Sequence, residues 1–110
     1  MAMKEKVDKI LGGFLERNKE YAVELYIDNA ITNSRLGQVI MTADWTFKAD
    51  DEKLTLEWNI GTNINFNKFS IQYDEIIACY DEIDKYDQQM VYVVLKNGMT
   101  IDFGCIGMQI

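Results

Sequence analysis

The stretch Met90-Val91-Tyr92-Val93-Val94-Leu95-Lys96-Asn97-Gly98-Met99-Thr100-Ile101-Asp102-Phe103 decides the fold class. Residues 90–95 are apolar at odd and even positions alike, as a central strand covered on both faces requires. After the break, Met99, Ile101, Phe103 and Cys105 alternate with Thr100, Asp102 and Gly104, the two-residue period of a half-buried strand. Asn97-Gly98 lies between the two runs. Asn-Gly between β-rich runs predicts a tight hairpin of type I′, with positive φ at both central residues.

Working outward, the same period recurs. Leu54, Leu56, Trp58 and Ile60 alternate with Thr55, Glu57 and Asn59, and Tyr21, Val23, Leu25 and Ile27 with Ala22, Glu24, Tyr26 and Asp28. Val39, Met41, Ala43, Trp45 and Phe47 predict one long strand, and the polar residues 29–37 a loop. Asp50-Asp51-Glu52 and Gly61-Thr62-Asn63 read as turns. Ile64 and Phe66 share one phase and Phe69, Ile71 and Tyr73 the other, so a bulge or break is expected near Asn67-Lys68. Residues 76–80 suit a strand or a helical turn. Residues 80–89 read as a solvated loop, and the apolar tail 106–110 as packed or frayed.

Only the beginning departs from this period. Val7, Ile10, Leu11, Phe14 and Leu15 follow the i, i+3, i+4, i+7, i+8 spacing of an amphipathic helix over residues 3–18. Gly12-Gly13 costs that helix about 2 kcal/mol relative to alanines, which points to a kink or, preferably, to a close approach to the sheet. Asn18 is the expected stop. The fold class is therefore α+β: an N-terminal amphipathic helix packed on a bent antiparallel sheet of six or seven strands, or on a partly closed barrel. The 110 residues read as a single domain.

Composition narrows the chemistry. The chain is 48% hydrophobic with 18 acids and 11 bases, which is too apolar for disorder at a net charge of -7. No apolar run approaches the roughly 18 residues of a membrane span, and the start carries no secretory pattern. Cys79 and Cys105 form no metal or redox spacing; they read as buried free thiols in a cytoplasmic protein. There are no histidines, hence no imidazole base, triad member or transition-metal ligand. No cofactor motif is present, and no glycine run has the phosphate-cradling pattern. Asp44 and Glu57 read as a solvent-facing pair rather than a catalytic one.

The charge is uneven. Residues 1–20 hold five bases and four acids, and residues 21–110 hold six bases and 14 acids. Asp74, Glu75, Asp81, Glu82, Asp84 and Asp87 are opposed locally by Lys85 alone, with Tyr86 among them. Spacing by three at Asp81, Asp84 and Asp87 does not match a calcium loop, so no metal is expected. Tyrosine beside carboxylate suits a protein partner with a basic surface, since the ring gives rigid contact area and the acids steer. The acidity argues against direct nucleic-acid binding. Most of the aromatics in the β region belong to inward sets; Tyr26 lies on a polar face.

Phe69, Ile71, Tyr73-Asp74-Glu75-Ile76, residues 91–98, Ile101 and Phe103 resemble the sheet of small pleckstrin-homology-like bacterial and phage domains. That resemblance covers about a third of the chain, is generic to β-meanders, and lacks room for the terminal helix such domains carry. In size, acidity and absence of active-site motifs the chain is also similar to anti-CRISPR and DNA-mimic inhibitors of mobile elements, with no residue motif carrying the likeness. The expected function is a non-enzymatic acidic binding protein, an inhibitor that docks Asp74, Glu75, Asp81, Glu82, Asp84, Tyr86 and Asp87 onto a basic, nucleic-acid-binding site of a partner. The alternative is a structural or homo-oligomerising module of a phage or bacterial assembly, using Ile106, Met108 and Ile110. A carboxylate-based enzyme ranks third.

Overall fold

Alternating apolar residues place one face of each strand in a shared interior, and the helix covers what the strands leave open. The computed structural model describes residues 2–29, 31–41, 45–59 and 66–109. Helix α1 runs over residues 3–17 in three segments: α-helical Met3–Val7, π-helical Asp8–Gly12 and α-helical Gly13–Arg17. The strands are β1 (Tyr21–Asn29), β2 (Ser34–Met41), β3 (Thr46–Ala49), β4 (Lys53–Asn59), β5 (Phe66–Gln72), β6 (Ile76–Ile83), β7 (Gln89–Leu95) and β8 (Met99–Gln109). A 3₁₀ turn, Tyr73–Glu75, joins β5 to β6.

All described pairings are antiparallel and fall in two sheets, ordered β2-β1-β8-β7-β6 and β3-β4-β5. The α+β expectation holds, with eight described strands where six or seven were expected, and without barrel closure. Val23, Leu25, Val91, Val93, Ile101, Phe103 and Cys79 face inward from the first sheet. Leu54, Leu56, Trp58 and Ile71 meet them from the second, and Val7, Leu11, Phe14 and Leu15 from α1. Among the described residues, no helix is long and apolar enough to cross a membrane.

Several local expectations are corrected. The run from Val39 to Phe47 is two strands in different sheets, with residues 42–44 outside the described residues. Trp45 marks the crossing: its indole N–H donates to the Tyr21 carbonyl at 2.8 Å. The predicted loop 29–37 shortens, because β2 begins at Ser34 opposite Asn29. No register shift interrupts β4 and β5 from Phe66 to Gln72, so the expected bulge at Asn67-Lys68 is absent; Gly61-Thr62-Asn63, Ile60 and Ile64 lie outside the described residues. Tyr21 is 39% exposed rather than inward, since a register shift between Tyr21 and Val23 turns it out. The tail continues β8 to Gln109, opposite Tyr21, instead of fraying. Asp44 and Ile110 lie outside the described residues, and Glu57 stands opposite Thr46 and Lys68.

Gly12 and Gly13 do not mark a close approach. A Cβ at Gly12 would meet nothing within 4 Å, and one at Gly13 would meet only the Arg17 guanidinium, at 3.2 Å. Low helix propensity is expressed instead as the wider π turn ending at Gly12. Asn18 ends the helix as expected, its side-chain amide donating to the Phe14 carbonyl at 2.8 Å. The 96–98 hairpin is also not type I′. Gly98 N–H donates to the Leu95 carbonyl at 3.1 Å, and Gly98, at φ +87°, is the turn residue with positive φ. This matches the three-residue hairpin loop that closes on a left-handed glycine.

Candidate functional site

Cross-strand register sorts the first sheet's polar residues onto one face. Gln38, Tyr26, Asp102, Tyr92 and Tyr80 stand opposite one another in a line across β2, β1, β8, β7 and β6. Ile40, Glu24, Gly104, Met90 and Glu82 form the next line. Asp28, opposite Arg35 and Thr100, continues the face. The interior and α1 lie on the other side, and Tyr80 and Ile40 are exposed on this one.

The face is held in place by its own bonds. The Tyr80 and Tyr92 rings stack with centroids 5.1 Å apart and planes 24° apart. Tyr26 donates its hydroxyl to Glu24 Oε2 at 2.6 Å, which raises the tyrosine above its usual range. Arg35 donates Nε to Asp28 Oδ1 at 3.0 Å, and its guanidinium carbon sits 3.9 Å from the Tyr26 ring centroid. That guanidinium holds Asp28 below the usual carboxylate range. Burial first, and then the hydrogen-bonded Asp28 carboxyl, push Asp102 up to about 7. Tyr92 is raised by burial and by the charges of Glu82 and Asp102.

The residues expected to form one acidic patch are divided among five places. Residues 80–83, read as a loop, belong to strand β6, so neighbours alternate in direction. Glu82 joins the open face. Asp81, opposite the buried Val91, points toward α1, where it shares a hollow with Lys6, Lys9 and Ile10. It accepts from Gln89 Nε2 at 2.9 Å, and Gln89 accepts in turn from Arg17 at 2.6 Å. Asp84, Tyr86 and Asp87 form the β6–β7 turn. Asp84 Oδ1 accepts from the Tyr86 and Gln88 amides at 2.8 and 2.9 Å, so that carboxylate shapes the turn. Tyr86 is 72% exposed, under Lys85 at 5.2 Å from its ring centroid. Asp74 lies at the far end of β6, lining a cleft with Asp51, Glu52, Gln72 and Tyr73. Glu75 borders a separate cleft of about 400 Å³ between the sheets, walled by Ile27, Phe69, Ile71, Leu95, Met99 and Ile101.

Sequence reasoning missed Asp102, Asp28, Glu24, Tyr80 and Tyr92 as site residues. The alternation did put Glu24, Tyr26 and Asp28 on one side of β1 and Asp102 on the polar side of β8. Only the register between strands collects them. Of the thiols, Cys79 is buried, which pushes it up to about 11, and Cys105 is half-buried. Among the described residues, no group of three or more Cys, Asp or Glu side chains is placed to hold a metal ion. No protein-family model matches the chain, and neither does any curated protein or solved structure.

Proposed function

We propose that the protein is a non-enzymatic binding module that docks the open face of its five-stranded sheet onto a basic surface of a partner protein. One observation carries this reading. The stacked pair Tyr80–Tyr92 lies in register with Asp102 and shares its face with Glu24, Asp28 and Glu82, and Arg35 is the one cation among the described residues facing that side of β1, β2, β6, β7 and β8. Two rings held in place lose little freedom on binding, and the carboxylates attract a cationic surface from a distance. Glu82, with Asp84, Tyr86 and Asp87 at the adjoining turn, is the part of the sequence-derived patch that this face retains. Asp74, Glu75 and Asp81 fall outside it. Direct nucleic-acid binding is disfavoured by the same charges. If the partner handles nucleic acid, the carboxylates would stand where phosphates bind, as an inhibitor's would.

The test uses nona-arginine as probe, with amide shifts recorded at about 20 and 300 mM salt. Shifts should concentrate on Tyr80, Glu82, Tyr92 and Asp102, and binding should weaken steeply with salt. Glu24→Lys with Glu82→Lys should abolish it in a folded protein. Asp84 is left intact because it holds the turn. Shifts centred on Asp51, Glu52 and Asp74 instead would refute docking at this face.

A second reading, self-association, is favoured by the edge strand β2, where Leu36 and Ile40 are 56% and 45% exposed, with Ile31 at 81% just before it. Exposed apolar side chains on an edge that is unpaired among the described residues favour pairing between copies. Sedimentation velocity over a hundredfold concentration range decides it: a constant monomer excludes this mode.

A further inference from the structure

We propose that Asp28 and Asp102 hold one proton between them, and that its release as pH rises switches the open face to stronger cation binding. The switching consequence rests on the docking reading above; the shared proton does not.

The two carboxyls belong to adjacent strands. Tyr26 is opposite Asp102 and Asp28 is opposite Thr100, so Asp28 and Asp102 are diagonal neighbours on one face. Asp102 Oδ1 is buried and has no donor among the described residues. Its hydrogen-bonding neighbour is the Asp28 carboxyl, which in its ionised form can only accept. Two ionised carboxylates in contact repel, and a buried oxygen would remain unsatisfied. A single proton removes both penalties, with the Asp102 hydroxyl donating to Asp28.

The surroundings decide which partner keeps that proton. Asp28 accepts from Arg35 at 3.0 Å and so keeps its charge. Asp102 has Tyr26 on one side and Tyr92 on the other. The other groups facing the pair are Glu24 from β1, Gln38 from β2, and Tyr80 and Glu82 from β6; Asp84 acts on Tyr92 from the turn beyond. Arg35 is the cation of this set, and it is already engaged by Asp28. Burial and the neighbouring acid push Asp102 up to about 7, which supports the assignment. Losing the proton adds the Asp102 charge to those of Glu24, Asp28 and Glu82. With no histidine in the chain, no other side chain of ordinary pKa changes charge between pH 5 and 8.

The experiment follows side-chain carboxyl carbons by NMR from pH 5 to 9 and measures nona-arginine affinity at pH 6 and pH 8. In the intact protein one carboxyl, that of Asp102, should titrate near neutrality. Asp28→Asn should lower that midpoint by about one unit or more. Nona-arginine should bind about 3- to 10-fold tighter at pH 8, and Asp102→Asn should bring that ratio close to one. An Asp102 midpoint below about 5 in the intact protein would overturn the proposal, whatever the variants do. A midpoint near neutrality, with affinity equal at the two pH values, keeps the shared proton and rejects docking at this face.

Discussion

Replacing Asp102 with asparagine should change how stability depends on pH, in a direction fixed by the folded carboxyl. Asp102 is raised to about 7 in the folded chain, against about 3.9 for an unfolded aspartate. A raised folded pKa gives stabilisation that is complete below the unfolded value and is lost as pH climbs through the folded one. Between about 4 and 7 the folded chain binds more protons than the unfolded chain, so this group makes stability fall with rising pH. A shift of about three units corresponds to roughly 4 kcal/mol before screening, at 1.36 kcal/mol per unit. Asp102 is only partly buried, and water reduces that to about 1–2 kcal/mol. Urea unfolding at pH 5 and pH 8 samples most of the window and stays above the isoelectric point of 4.4. The asparagine side chain of Asp102→Asn keeps the shape and donates to Asp28 at either pH. The variant should therefore gain about 1 kcal/mol on the parent between pH 5 and 8, near 1 M in relative midpoint. The lowered pKa of Asp28 and Asp50 acts below this window, because those groups lose stability only as pH falls through their folded values. Parallel pH profiles for parent and variant, or a variant that loses ground on the parent toward pH 8, would refute the reasoning.

Phe103→Ala removes a fully buried ring at the centre of the five-stranded sheet and should cost about 3–5 kcal/mol in urea unfolding; a loss under about 1 kcal/mol would mean the core is placed wrongly. Gly98→Ala places a Cβ 2.8 Å from Ile31 Cδ1 at φ +87°, and should destabilise by about 1–2 kcal/mol. Adding Ile31→Ala should recover the steric part only, as the same unfolding assay would show. Cys79, buried and with its thiol pushed up to about 11, should resist a thiol reagent at pH 8 until the chain unfolds, whereas half-buried Cys105 should react earlier; mass spectrometry of labelled peptides reads the order.

The strands were legible where apolar residues alternate over several positions, as in residues 54–58 and 99–103. Alternation fails where the chain changes sheet. Residues 39–47 keep one phase throughout, yet β2 and β3 pair with different neighbours, a choice made by strands far away in sequence. The acidic segment failed for the opposite reason. Its charged residues hide a period of two, because Asp81 and Glu82 differ in the face they serve and not in residue type.

By itself the sequence determined an amphipathic helix followed by antiparallel strands, the turns at Asp50 and Gly98, and an anionic surplus without imidazole chemistry. Local periodicity, turn-forming residue types and composition suffice for those. Tertiary structure alone decided which carboxylates share a surface. Register between strands distant along the chain sets Asp102 beside Asp28 and Tyr92 beside Tyr80, while one step of pleat separates Asp81 from Glu82.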